Sequence, residues 1–319
     1  MEHPITTTST FLTEDFLLQN DFSRRLYNDY AKNLPIVDYH CHLPAGDIAD
    51  DRQFANLTTA WLNGYHYKWW AMRTLGIVEK FITGDATDAE KFHWWAYAVP
   101  FTIRNPLYHW TQLELKRYFD VDKLLTVKTE SEIFQECSEK LNMSDYRVLA
   151  LLRKMNVEVV CTTNDPIHPL DYHRKISSEN SRVKVLPTFR PDKAFEIDDP
   201  STYGKYLDQL SDVSGIEIKS FASLLAALNK RIEFFHQAGC RLSDHGLEYM
   251  FYPQASSTFR IEDMFWRVKK GEQLSAVEIQ YYKYSVLMEL CRMYHAKGWA
   301  QQFHQIGRAS CRERVYVLV

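Results

Sequence analysis

Four short apolar runs, VEVVCTTNDP (157–166), VKVLPTFRPD (183–192), GCRLSDHG (239–246) and GWAQQFH (298–304), alternate with segments whose apolar residues recur at helical spacing. Strands that alternate with helices imply βαβ units, and such units lay their strands side by side in a parallel sheet. One earlier run, PIVDYH (35–40), follows a helical period over 12–34 and reads as a further short buried strand. The expected class is therefore α/β.

Between Leu43 and about Met155 the rhythm is different, with nearly every segment helical in period and rich in Trp. TDAEKFHWWAYAVPF opens on a Thr87/Glu90 capping box, and SEIFQECSEKL forms a shorter amphipathic series. The stretch 44–155 is expected to be a helical insertion after the first strand. The longest later helix, over 275–297, has Ser275 and Glu278 as its box and Gly298 as its stop. The Trp pairs of KWW (68–70) and HWW (93–95) could stack on a sugar, but clustered aromatics in a helical insertion are expected in its core.

Thirty-eight basic and forty-one acidic side chains leave a formal charge of -3, with no single-sign block to serve as a footprint for nucleic acid. No apolar run approaches membrane-spanning length, and MEHPITTTSTFLTEDF lacks the charged and apolar regions of a leader. A cytoplasmic location, without nucleic-acid or membrane partners, is the expectation. The six cysteines show no CxxC spacing and read as reduced thiols, Cys41 as packing.

Alternate side chains of a strand share a face, so His40 and His42 project together and can bind one metal ion. The other strand ends also finish in polar groups: Thr162, Thr163, Asn164 and Asp165; Arg190 and Asp192; Ser243, Asp244 and His245; and His304. In parallel barrels the carboxyl ends of strands carry the active site. An arginine there suits bidentate capture of a carboxylate, and carboxylates and imidazoles suit proton transfer. Helix capping is an equal alternative for Asp165 and Asp192, and a structural ion pair is the alternative for Arg190. His3, His168, His173 and His236 have no partner pattern and are expected on the surface or as caps.

DYHCHL, YHYKWWAMRTLG, ITGDATDAEKF, RNPLYHW, CTTNDP, LPTFRPDKA, CRLSDHGL and KGWAQQFH together resemble the uronate (glucuronate) isomerases of the amidohydrolase superfamily, collinearly from about Phe16 to His304. The resemblance implies a (β/α)8 barrel of TIM type with a helical insertion. It also implies interconversion of D-glucuronate with D-fructuronate and of D-galacturonate with D-tagaturonate, in bacterial uronate catabolism. His40 and His42 would hold a divalent metal, zinc by expectation. Arg190, with Asp192 and Asp165, would bind the hexuronate, and Asp244, His245 and His304 would be catalytic. Self-association is left open. Trp70 stands where the family usually has arginine, and Asn164 where it usually has aspartate.

Five strands, ending at His40, Thr163, Arg190, Asp244 and His304, fall short of a full barrel. The family's eighth strand would bring an aspartate and a neighbouring arginine that nothing after His304 can match. Instead the chain continues QIGRASCRERVYVLV, whose IGRASCRERV resembles sequencing-adapter read-through. Residues 1–304 are therefore expected to be a partial barrel and 305–319 a non-native tail, with the fragment inactive. The competing readings are a metal-dependent amidohydrolase, which shares the HxH strand, and a non-catalytic uronate-binding protein.

Overall fold

The structure, a computed structural model, describes residues 11–179, 181–247, 249–251, 259–306 and 313–318. It divides into two compact units, one of Met1–Ile36 with Asp50–Glu158 and the other of Val37–Ala49 with Val159–Val319. His3 lies outside the described residues.

The first unit is helical. Its core gathers Trp61, Met72, Phe92, Trp95, Leu115, Phe119 and Ile133. The helix Asp88–Ala98 starts on the expected box, with Thr87 Oγ1 accepting from Glu90 N–H and the Glu90 carboxylate accepting from Thr87 N–H. Trp95 is fully buried and Trp69 and Trp94 are packed against the core. Trp70 departs from the core expectation: it is 46% exposed and packs edge-on against Tyr67. Lys68 takes the interior place instead, its ammonium 4.6 Å from the Trp61 ring and 5.5 Å from that of Trp95. The aromatic faces compensate part of its desolvation. Helix from Asp21 to Ala31 matches the period of the first segment, but Phe22, Leu26 and Tyr30 along it are exposed.

The second unit holds one six-stranded sheet, in the order β1 (Ile36–Cys41), β2 (Val157–Asn164), β3 (Lys184–Phe189), β4 (Leu242–Leu247), β5 (Ala300–Ile306) and β6 (Glu313–Leu318). Strands β2 to β5 pair in parallel, each with the next. Helices Asp171–Ser178, Pro200–Ser214, Phe221–Gln237 and Ala276–Lys297 lie between successive strands in the sequence. This strand-helix succession in sequence order is that of a (β/α)8 barrel, represented here by five of its strands. The sixth strand was not among those expected: it comes from the segment taken as a tail and runs antiparallel to β5, from Gln301 opposite Leu318 to Ile306 opposite Glu313.

Register and alternation sort the side chains of this sheet. Phe189 is level with Ser243, and His245 with Phe303, so these four share the face that packs on helices. There Phe189 meets Phe235, Tyr294 and Trp299 at centroid distances of 5.1, 6.0 and 6.0 Å. Asp244, Gly246, Gln302 and His304 take the opposite face. The long helix Ala276–Lys297 begins on the Ser275/Glu278 box and stops at Gly298, whose φ of 67° lies in the left-handed region that glycine enters without strain.

The helix Asp171–Ser178 rests on β2 through His173, which is 5% exposed and lies 2.8 Å from Thr162 Oγ1. His173 is thus neither a surface nor a capping residue. Burial pushes its pKa down from 6.5 to about 4. The unfolded chain therefore binds the proton more readily, so this histidine's stabilisation is complete above pH 6.5 and is lost as pH falls through about 4. The loss approaches about 3 kcal/mol. Urea unfolding across that range is expected to show this acid sensitivity in the parent protein and to find it reduced in His173→Gln.

Candidate metal and substrate site

Asp244 sits at the middle of the site because the parity of β4 turns it away from the helices. Its carboxylate is fully buried, with Oδ1 2.8 Å from His304 Nε2 and Oδ2 3.3 Å from Arg190 Nη1 and 3.8 Å from His40 Nδ1. Burial is the largest influence on its pKa and acts upward. The His304 contact and the Arg190, His304 and His40 charges outweigh it and hold the carboxyl below its ordinary range. His40, Asp244 and His304 offer ligand atoms within 4.8 Å of one another. The His40 and His304 rings are 4.1 Å apart between centroids, and His42 Nε2 lies 3.1 Å from His40 Nε2. Two residues before His40 on the same face stands Asp38, a carboxyl the sequence reading passed over; burial raises its pKa.

Arg190 is bracketed rather than loose. Its Nε donates to Asp192 Oδ2 at 3.0 Å while Nη1 reaches Asp244, so the ion-pair geometry weighed for it is present. Asp192 in turn accepts from Gly246 N–H at 2.9 Å and lies 3.0 Å from His245 Nδ1. It begins a short 3-10 turn but its carboxylate serves these three groups instead of a helix end. Gly246 leaves room for the Arg190 guanidinium: a Cβ there would stand 2.2 Å from Arg190 Nη2 and push it aside.

His245 is placed differently from the sequence expectation. It is fully buried on the helix-facing side of β4, stacked on Phe303 at 5.4 Å and near Tyr294 and Phe195. Adjacent residues of a strand point oppositely, so it cannot share the face of Asp244 and instead buttresses Asp192. Asp165 belongs to another neighbourhood. Its Oδ1 accepts from Ile167 N–H and from the Tyr206 hydroxyl, both at 3.1 Å, and Lys193 lies 3.7 Å from Oδ2. The nearest helix begins only at Asp171, so Asp165 caps a turn, not a helix.

A cavity of about 760 Å³ opens beside these groups, lined by His42, Thr163, Asn164, His168, His173 and Arg190 among others. His168, exposed as expected of a surface residue, lines the mouth of this cavity. His236 stacks on Trp299 and its Nδ1 accepts from the indole N–H at 2.9 Å. Cys41 accepts from Leu43 N–H, and burial pushes its thiol up to about 12, which leaves it inert. Among the described residues no helix is long and apolar enough to cross a membrane.

A family model described as glucuronate isomerase matches residues 8–317. The uronate isomerase of Bacteroides thetaiotaomicron is 48% identical over 295 residues, covering 92% of this chain and 63% of that protein. That of Flavobacterium johnsoniae is 47% identical over 296 residues, covering 93% and 63%. Among solved structures, the uronate isomerase of Thermotoga maritima is 34% identical with a TM-score of 0.86, over 92% of this chain and 64% of that one. The glucuronate isomerase of Caulobacter crescentus, 22% identical with a TM-score of 0.84 over 93% of this chain and 64% of that one, shares the fold. The chain thus spans about 63% of the length of the curated relatives it matches. On the family match and these identities, the chain belongs to the glucuronate isomerase family.

Proposed function

We propose that this chain supplies the part of a uronate isomerase active site built on β1 to β5. The complete site interconverts D-glucuronate with D-fructuronate and D-galacturonate with D-tagaturonate. The observation that carries this reading is the close group of half-buried His40 with buried Asp244 and His304 beside the Arg190 guanidinium, in a chain of this family.

Imidazole nitrogens and a carboxylate gathered this closely fit a divalent ion with the preferences of zinc. His40, His42 and Asp244 would hold it, and bound there it would supply positive charge against the negative charge that develops on the way to an enediol. Arg190, fixed by Asp192, would hold the hexuronate carboxylate at the cavity wall. Moving a proton between C2 and C1 needs a base within hydrogen-bond reach. His304 would take that part, with its Nε2 2.8 Å from the Asp244 carboxylate. His245 would hold Asp192, and Asp165 would order the loop that closes the far side of β2.

Zinc titration followed by calorimetry is expected to find one ion per chain. Outer-shell changes at metal sites cost about 10–100-fold in affinity, so loss of a ligand in His40→Ala or Asp244→Asn should cost at least about 100-fold. Equal affinity in both variants would reject the ligand set.

Isomerisation of D-glucuronate and D-galacturonate is best assayed with zinc in two forms: the chain alone, and the chain joined to the part of a curated relative that it does not match. Turnover is expected in the joined form, and His304→Gln in that form should lower kcat by at least about 100-fold. A joined form that turns over neither sugar acid would return the hydrolase and binding readings to first place.

Gly246→Ala is expected to drive the Arg190 guanidinium from its two carboxylates. D-glucuronate affinity should fall about tenfold while zinc affinity is kept. A parallel loss of zinc would instead mean that the substitution disturbs β4 as a whole.

A further inference from the structure

Strands β2, β3 and β4 stand between β1 and β5 in the sheet, so no ladder of hydrogen bonds sets the distance from β1 to β5. His40 and His304 nevertheless come within 4.1 Å of each other, centroid to centroid. One direct bond joins the two strands at this level: the Gln302 side-chain Nε2 donates to the Tyr39 main-chain oxygen at 3.1 Å. Gln302 is 1% exposed. It is level with Asp244 across the β4–β5 ladder and stands two residues before His304 on the same face. Tyr39 immediately precedes His40 in β1. A single amide thus adjoins, by register, by sequence or by its bond, each strand that carries His40, Asp244 or His304.

The direction of this bond is fixed by its acceptor. A main-chain carbonyl can only accept, so the atom that faces it is the amide nitrogen, and the reversed amide would set two acceptors against each other. The availability of the carbonyl follows from strand geometry. Ile36 N–H donates to Asn156 O at 2.8 Å, and successive residues of a strand turn their main-chain groups to opposite edges. The Tyr39 carbonyl therefore lies on the edge of β1 away from β2. β1 ends the sheet order, and among the described residues no strand pairs that edge. The Gln302 amide supplies the donor that a neighbouring strand would otherwise supply. Gln302 Oε1 has no hydrogen-bond partner among the described residues, so the bond to Tyr39 is what holds the amide in place.

We propose that Gln302 is a positioning residue for the metal site: by tying the Tyr39 carbonyl to β5, it holds the histidines of β1 against Asp244 at the spacing that one divalent ion requires. The ion belongs to the reading given above, whereas the tie asks only that β1 be held to β5. Asp244 and His304 sit on paired strands, 2.8 Å apart, and keep each other's company through the ladder. His40 has no such support from β4 or β5. Without Gln302, β1 is fixed to the sheet along one edge, and His40 moves with it, away from the Asp244 carboxylate that lies 3.8 Å from its Nδ1. Gln302 acts through His40 and is not counted among the ligands.

Gln302→Met keeps the length of the side chain and removes the donor without adding charge; Gln302→Leu serves in its place if that variant does not fold. Hydrogen exchange of the metal-free chain is expected to show the β1 amides exchanging at least about tenfold faster in the variant than in the parent, with β3 and β4 unchanged. Calorimetric titration is expected to show zinc bound about 10–100-fold more weakly, the range that outer-shell changes at metal sites produce. Cobalt(II) in place of zinc is expected to give an altered visible spectrum, which a general loss of stability would leave as it is. Faster exchange confined to β1, with zinc bound by neither form, supports the tie and rejects the metal reading. Zinc affinity that is the same in variant and parent overturns the proposal. So does exchange that rises equally in every strand, since Gln302 would then be a packing residue of the whole sheet.

Discussion

A fully buried carboxylate at Asp244 is the constraint around which the second unit is arranged. Removing an ionised carboxylate from water is tolerated only when opposite charge and hydrogen-bond donors replace the solvent. Asp244 obtains them from three separate strands: His40 at the end of β1, Arg190 just after β3 and His304 on β5. Each of those side chains must face the same way as Asp244, so the parity of four strands is tied to one charge. A one-residue slip in β4 would exchange Asp244 for His245 and leave the carboxylate among Phe195, Tyr294 and Phe303, where nothing could compensate it.

Strand parity also separates what the sequence made legible from what it did not. The pair His40 and His42 could be assigned to one side because two residues separate them, and their ring nitrogens do lie 3.1 Å apart. The same rule sets Cys41 against them. Applied to SDHG, it already divides Asp244 from His245, yet both were expected to be catalytic because they share a motif. Apolar runs bounded by polar ends are a local signal, and they placed β1 and the four strands β2 to β5 that pair in parallel. Strand β6 has an apolar run of its own, VYVLV after RER, but it lay in the segment set aside as a tail, and its antiparallel pairing with β5 is a relation no local window contains. The segment Asp21–Ala31 errs in the other direction: helical period is local, but whether the apolar residues are covered is not, and Phe22, Leu26 and Tyr30 are exposed.

The polar side chains Thr162, Asn164, His168 and His173 were harder to read for a physical reason. His168 and His173 matched no motif, although Leu170, His173 and Ile176, three residues apart and all buried, already mark a covered helix face that includes a histidine. What spacing cannot give is direction. Whether Asn164 offers oxygen or nitrogen depends on Thr162, two residues earlier, on His168, four residues later, and on the fixed donor of Asp165. The sequence shows only that an amide stands at 164; the assembled bonds give its partners.

Around Arg190 stand two carboxylates, Asp192 and Asp244, against one guanidinium. A ligand carboxylate brought to this wall would meet more negative than positive charge unless something redressed the balance. A divalent ion on the histidines and Asp244 would turn the local sum positive.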